Sequence, residues 1–186
     1  MITLYFFLKK INEFEYKKIP TLKEKQWKEF CIGEIYNIKS GCQLTKEDMI
    51  NGNMPFIGSS ANNNAVTNFI SNTNKSIDRN AVSVNFNGSV GEAFFYPYKA
   101  LYSGDVKRLH LINYTDNEYV NLFIITSIKN QKSKYSYGYK FSGGRMKRQY
   151  IMLPVNDAGN PDYEYMEQYI KNIEYNKMIE YIAYMA

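Results

Sequence analysis

Ala81-Val82-Ser83-Val84-Asn85-Phe86-Asn87-Gly88-Ser89-Val90-Gly91 is the stretch on which the reading of this chain turns. From Ala81 to Phe86 the residues alternate with a period of two, the pattern of a β-strand. Asn87-Gly88 makes a tight turn, and Val90 to Tyr96 continues as a second strand. Small residues at such a turn let another backbone or a phosphate approach closely, although a plain hairpin accounts for them without a ligand. It is not a nucleotide-binding fingerprint: the G-x-G-x-x-G spacing is missing and no Gly-Lys-Ser/Thr follows.

Further along the chain, Val106 to Ile112 reads as another strand. Glu118 to Lys129 carries Tyr119, Val120, Phe123, Ile124 and Ile128 at helical spacing. Ile151 to Val155 is an apolar strand that ends in the breaker-rich turn Asn156 to Pro161. Asp162 then caps a helix running towards Ala186, with a stripe at Tyr165, Met166, Tyr169, Ile170, Ile173, Met178, Ile179 and Ile182. Such a helix extends on the order of 35 Å, long for one folded onto its own small domain, so its stripe invites a partner. No repeat at solenoid periods is present.

Towards the N-terminus, Pro55-Phe56-Ile57-Gly58 is a short strand, and Glu34 to Lys39 is another, closed by Ser40-Gly41. Leu44 to Ile50 forms a helical turn broken at Asn51-Gly52. Thr21 to Glu24 caps a brief helix, and residues 1–20 form a short helix or strand ended by Pro20. Ser59 to Asn80, crowded with Asn, Ser and Thr, reads as a long ordered loop anchored by Ala65, Val66, Phe69 and Ile70. The whole is a mixed α+β domain: a twisted, mostly antiparallel or mixed sheet with a C-terminal helix. Its expected divisions are an N-terminal extension (1–24), the globular domain (25–160) and a spacer or dimerisation helix (161–186).

Composition narrows the function. A net charge of +5 favours an anionic partner such as nucleic acid or a membrane face. Eighteen Tyr and eleven Phe stand against one Trp, and Tyr suits surfaces where a rigid ring stays half wet. Cys31, Cys42 and the single His110 are too few for a Cys/His zinc site, so no metal and no cofactor is expected. The apolar start at Ile2 to Leu8 meets Lys9-Lys10 in the reverse order of a signal peptide and is too short to span a bilayer. A cytoplasmic protein is expected.

No catalytic constellation emerges. Gly-x-Ser-x-Gly is absent, one histidine leaves little scope for Ser/His or Cys/His chemistry, and His110 between Leu109 and Leu111 reads as structural. Asn160-Pro161-Asp162-Tyr163 only superficially matches the base-holding motif of amino-methyltransferases and reads as a turn plus helix cap. The basic segment says more. From Lys129 to Arg148 there are seven positive charges and no acid, with Tyr135, Tyr137, Tyr139 and Phe141 interleaved and Gly143-Gly144 beside Arg145. Lysines neutralise phosphates without regard to sequence, and Arg can grip guanine bidentately. A solvated loop is the bland alternative, and the aromatic interleaving weighs against it.

Taken in order, these pieces resemble the target-recognition domain of specificity (S) subunits from type I restriction–modification systems and their type IIB, BcgI-like relatives. The landmarks are Trp27-Lys28-Glu29-Phe30, Ile32-Gly33-Glu34-Ile35-Tyr36 and Ser40-Gly41, then Pro55 to Ser60 with the Asn-rich loop. Asn85 to Gly91, Ser103-Gly104-Asp105-Val106, the helix near Phe123, and Arg145-Met146-Lys147-Arg148 leading into Ile151 to Val155 complete the series. The resemblance covers about residues 25–175. It implies a non-catalytic module that reads half of a split site in double-stranded DNA, with a DNA methyltransferase and a restriction subunit as partners. Recognition roles carry over to Ser59, Ser60, Asn62, Asn63 and Asn64, to Asn87, Gly88 and Ser89, and to Tyr137, Tyr139, Lys140, Ser142, Gly143, Arg145, Lys147 and Arg148. Tyr165, Met166, Tyr169, Ile170 and Ile173 are the expected partner-facing residues of the helix, through which a half-length subunit would form a homodimer. The competing expectation is a truncated subunit that occupies the methyltransferase or restriction complex as a decoy.

Overall fold

The structure, a computed structural model, describes residues 11, 14 and 16–185. The helix or strand expected over residues 1–20 lies mostly outside them, and residues 16–20 are irregular. The described elements run β1 (Trp27–Cys31), α1 (Ile32–Ile35), β2 (Tyr36–Ser40), β3 (Asn51–Ile57), β4 (Val66–Ile70), β5 (Ile77–Asp78) and β6 (Ala81–Asn85). They continue with β7 (Ala93–Tyr96), β8 (Ala100–Tyr102), β9 (Val106–Leu111), α2 (Glu118–Lys129), α3 (Gly143–Arg148), β10 (Tyr150–Pro154) and α4 (Tyr163–Met185). One four-stranded sheet, ordered β2-β9-β6-β7, is antiparallel throughout. The other, β4-β3-β8-β5, is mixed, because β3 and β8 run parallel. A separate antiparallel ribbon pairs β1 with β10, setting Trp27 against Pro154 and Cys31 against Tyr150. The class is mixed α/β, with antiparallel and mixed sheets and a C-terminal helix.

The position of β6 explains the frame. All five of its residues are buried, because it lies inside its sheet and both of its faces are covered. Val82 and Val84 join the main core with Val120, Phe123, Ile124 and Ile128 of α2. Ala81 joins a second core with Ile57, Tyr96, Tyr102 and Val106, which ties the two four-stranded sheets together. A third cluster, Phe56, Ile70 and Leu101, closes over the mixed sheet with Leu44 and Met49. Period-two alternation therefore marks two cores here, one on each face, with Ser83 and Asn85 taken into the interior.

Several local expectations change. The stretch Ser59 to Asn80 is ordered but is not one loop: Val66–Ile70 pairs antiparallel with β3. Its middle residues Thr67, Asn68 and Phe69 are exposed at the sheet edge, which is why the composition looked loop-like. Asn51-Gly52 begins a strand instead of breaking a helix, and Leu44 to Ile50 keeps only a turn at Lys46–Asp48. Glu24 Oε2 accepts from the Thr21 N–H at 2.7 Å, and the Glu24 N–H donates to the Thr21 carbonyl at 3.0 Å, closing a turn that does not continue as a helix. The turn after β6 runs from Phe86 to Glu92, longer than a two-residue hairpin. Within the basic segment Lys129 to Arg148, six residues form α3.

Helix α4 starts as its sequence implies, with Asp162 Oδ1 accepting from the Tyr165 N–H at 3.0 Å. Asp162 also pairs with Lys25 at 2.7 Å. The stripe, however, is largely used within the chain. Tyr165 and Met166 are buried in the main core, and Tyr169 and Ile170 pack against it. Of the five expected partner-facing residues, only Ile173 is exposed, with Ile179 exposed farther along. The N-terminal segment lies against the same helix: Tyr165 donates to the Pro20 carbonyl and the Asn172 amide to that of Lys17.

Candidate nucleic-acid interface

Two polar loops meet edge to edge. The Ser89 N–H donates to the Ser59 carbonyl at 3.0 Å, and the Asn85 amide donates to the Ser60 carbonyl at 3.1 Å. Gly88, at φ +59°, lies so close that a Cβ there would fall 2.5 Å from Ser59 Oγ. Asn87 is held by Asp105, its amide donating to Oδ1 at 2.9 Å. Beyond Ser60, Asn63, Asn64 and Ala65 all take left-handed φ values of 50°, 49° and 58°. Such runs are strained for residues other than glycine. Three contacts over-determine this one: Tyr96 Oη donates to the Asn64 carbonyl, the Gly58 N–H to that of Ala65, and the Ala65 N–H to that of Asn62. The result fixes the exposed Asn62, Asn63 and Asn64 directly after Ser59 and Ser60, which bond to the loop after β6.

Lys107 on β9, not singled out in the sequence, joins these loops to the basic segment. Its Nζ lies 4.4 Å over the Phe86 ring and 2.8 Å from Ser40 Oγ, and its stem runs beside Gly143. Burial lowers its pKa, so the surface holds this ammonium partly dehydrated. Gly91 packs against Lys132. Glu92, also missed, changes the charge count: its carboxylate pairs with both Lys129 and Lys132. Burial pushes the Glu92 carboxyl up, but the hydrogen bonds from Lys132 and Lys129 outweigh it and leave its pKa below the usual range. Two of the segment's seven charges are thus neutralised internally.

The remaining cations sit among rings. Lys140 Nζ lies 5.3 Å over the well-exposed Tyr137, and Arg145 Cζ lies 3.9 Å over Tyr139. Ser142 and Gly143 open α3, and Lys147 and Arg148 end it, exposed, with the Lys147 backbone packed on Gly33. The loops 59–64 and 87–89 and the segment 137–145 are therefore linked through Lys107. Lys147 and Arg148 lie at the far end of α3, beside α1.

His110 belongs to an internal network and not to this surface. Nδ1 faces Asp116 at 3.0 Å and Nε2 faces Asp78 at 3.1 Å, while Arg108 Nη1 donates to Asp78 at 2.8 Å. Asp116 also accepts from Asn121, whose Oδ1 accepts from the buried Tyr36 hydroxyl at 2.7 Å. The hydrogen bond to Asp116 is the main reason the pKa of His110 is raised, against a burial penalty and with Asp78 adding to it.

Residues 24–181 match the family described as type I restriction modification DNA specificity domain. The chain belongs to this family. Over 161 residues it is 53% identical to the specificity subunit S.BcgI of a type II restriction enzyme from Heyndrickxia coagulans, covering 87% of this chain and 47% of that protein. The chain thus spans about half the length of this curated relative. In fold it is similar to the S subunit of a type I restriction–modification system from M. genitalium, with a TM-score of 0.60 and 18% identity over 87% of this chain and 43% of that one. The HsdS subunit from Thermoanaerobacter tengcongensis is similar too, with a TM-score of 0.56 and 14% identity over 97% and 44%. No helix among the described residues of this specificity domain is long and apolar enough to cross a membrane.

Proposed function

We propose that this chain reads a short sequence in duplex DNA and thereby directs a partner methyltransferase, and a restriction subunit where one is present, to its site. In this reading the chain performs no chemistry itself, and methyl transfer and cleavage belong to the partners. The observation that carries it is the joining of two amide- and hydroxyl-rich loops to an aromatic, cationic segment through Lys107, within a specificity-domain family. Asn and Ser groups suit base edges, while lysines and rings suit the backbone and the groove wall. Residues 161–186 act as the spacer. Exposed Ile173 of α4, with Ile179 farther along, is where a second copy would dock, giving a two-fold reader of a symmetric site.

Selection from a random duplex library at moderate salt tests this reading. An enriched motif of a few base pairs is expected, in two copies at fixed spacing if the chain dimerises. Arg145→Ala with Lys147→Ala should weaken binding and flatten the salt dependence, because an interface with fewer cations releases fewer counterions. A tight methyltransferase complex with no DNA affinity, alone or assembled, would point instead to a decoy.

A further inference from the structure

Arg145 is fixed by a stack of planar groups rooted in the core. Phe141 is fully buried, and its ring centroid lies 4.1 Å from that of Tyr135. The Tyr135 and Tyr139 rings follow at 5.9 Å, only 6° from parallel. The Arg145 guanidinium then lies 3.9 Å over Tyr139. Tyr135 is locked in turn, its hydroxyl donating to Gln149 Oε1 at 2.6 Å, and Gln149 donates to the Tyr150 carbonyl. One edge of the guanidinium is also held, because Nη1 donates to the Lys140 carbonyl at 2.9 Å. Among the described residues no carboxylate pairs with Arg145, which keeps partial exposure.

A phosphate contact needs only a positive charge, and Lys134 and Lys140 of the same segment can supply that. A guanidinium held in plane by a ring and a carbonyl, with donors to spare, instead has the geometry that a base edge requires. It meets the O6 and N7 acceptors of guanine bidentately, with little side-chain freedom left to lose. We propose that Arg145 reads one guanine in the major groove and that Tyr139 is its positioning residue. This rests on the DNA-reading function proposed above.

The test is library selection with the wild type, Arg145→Gln, Tyr139→Leu and Tyr139→Phe, each confirmed folded by its melting curve. Arg145→Gln removes the donor fork, so one guanine position in the motif should lose its preference while the other positions keep theirs. Tyr139→Leu should relax the same position and Tyr139→Phe should restore it. Replacing that guanine by 7-deazaguanine should weaken the wild type roughly 5- to 150-fold and leave Arg145→Gln unaffected. Retention of the guanine by Arg145→Gln overturns the assignment and leaves DNA reading intact. Absence of any motif from the wild type, alone and beside its methyltransferase, overturns both.

Discussion

Gly88→Ala should loosen the junction of the two polar loops. Gly88 sits at φ +59°, a conformation that costs an alanine about 1–2 kcal/mol. The added Cβ would lie 2.5 Å from Ser59 Oγ and 2.6 Å from the Ser59 carbonyl oxygen. The hydroxyl can rotate away, but the carbonyl is held by the Ser89 N–H at 3.0 Å. Making room means parting the loops and giving up that bond, which adds about 1 kcal/mol. The total, about 2–3 kcal/mol, corresponds in a domain of this size to a melting temperature lower by roughly 4–12 °C. Melting curves measure the first effect, and affinity for the selected motif should fall with it because Asn87 and Ser89 move relative to Ser59 and Ser60. Gly138→Ala is the control: nothing lies within 4 Å of a Cβ there, so its melting point should not move. A Gly88→Ala protein that melts and binds like the wild type would refute the clamp between these loops.

His110 and Glu92 give two further expectations. Folding raises the His110 pKa, so its stabilising increment is complete below the unfolded value of about 6.5 and is lost as pH rises through the folded value. Urea midpoints of the wild type should therefore fall between about pH 6 and pH 8 more than those of His110→Gln, and equal pH dependence would contradict the two-carboxylate setting. Glu92→Gln frees Lys129 and Lys132 from their ion pairs. Non-specific DNA affinity should rise and the salt slope steepen by up to about two, measured by anisotropy against salt, whereas an unchanged slope would place both lysines away from DNA.

What was legible in the chain depended on how local the signal is. Strand β6 and helix α2 show because their apolar periods are long enough to separate two from 3.6, and α2 runs over the expected Glu118–Lys129. Asp162 marked the start of α4 by its own side chain. Strand β8 has three residues, all buried, so it offers no alternation to read. Strand β4 is an edge whose exposed residues imitate a loop, and α3 opens with two glycines that favour no helix. At the candidate interface, the Asn-rich run and the Tyr-interleaved cations stand out as composition. Lys107 and Glu92 do not, since their roles arise only when β9 and the loop after β6 come to lie beside the basic segment. The stripe of α4 could be seen, but not that Tyr165 and Met166 are used by the chain's own core.

The ribbon of β1 and β10 bears on how the domain folds. It joins Cys31 to Tyr150 and Trp27 to Pro154, so it must close a loop containing both four-stranded sheets. Closing so long a loop early costs chain entropy with no contact to offset it. The ribbon is therefore expected to zip last, after the sheets and α2 have condensed. The one tryptophan of the chain sits on it: Trp27 stacks on Phe123 of α2 at 6.2 Å and donates to the Leu22 carbonyl at 2.9 Å. Its fluorescence is a built-in clock for that final step, and in refolding it should lag the recovery of secondary structure.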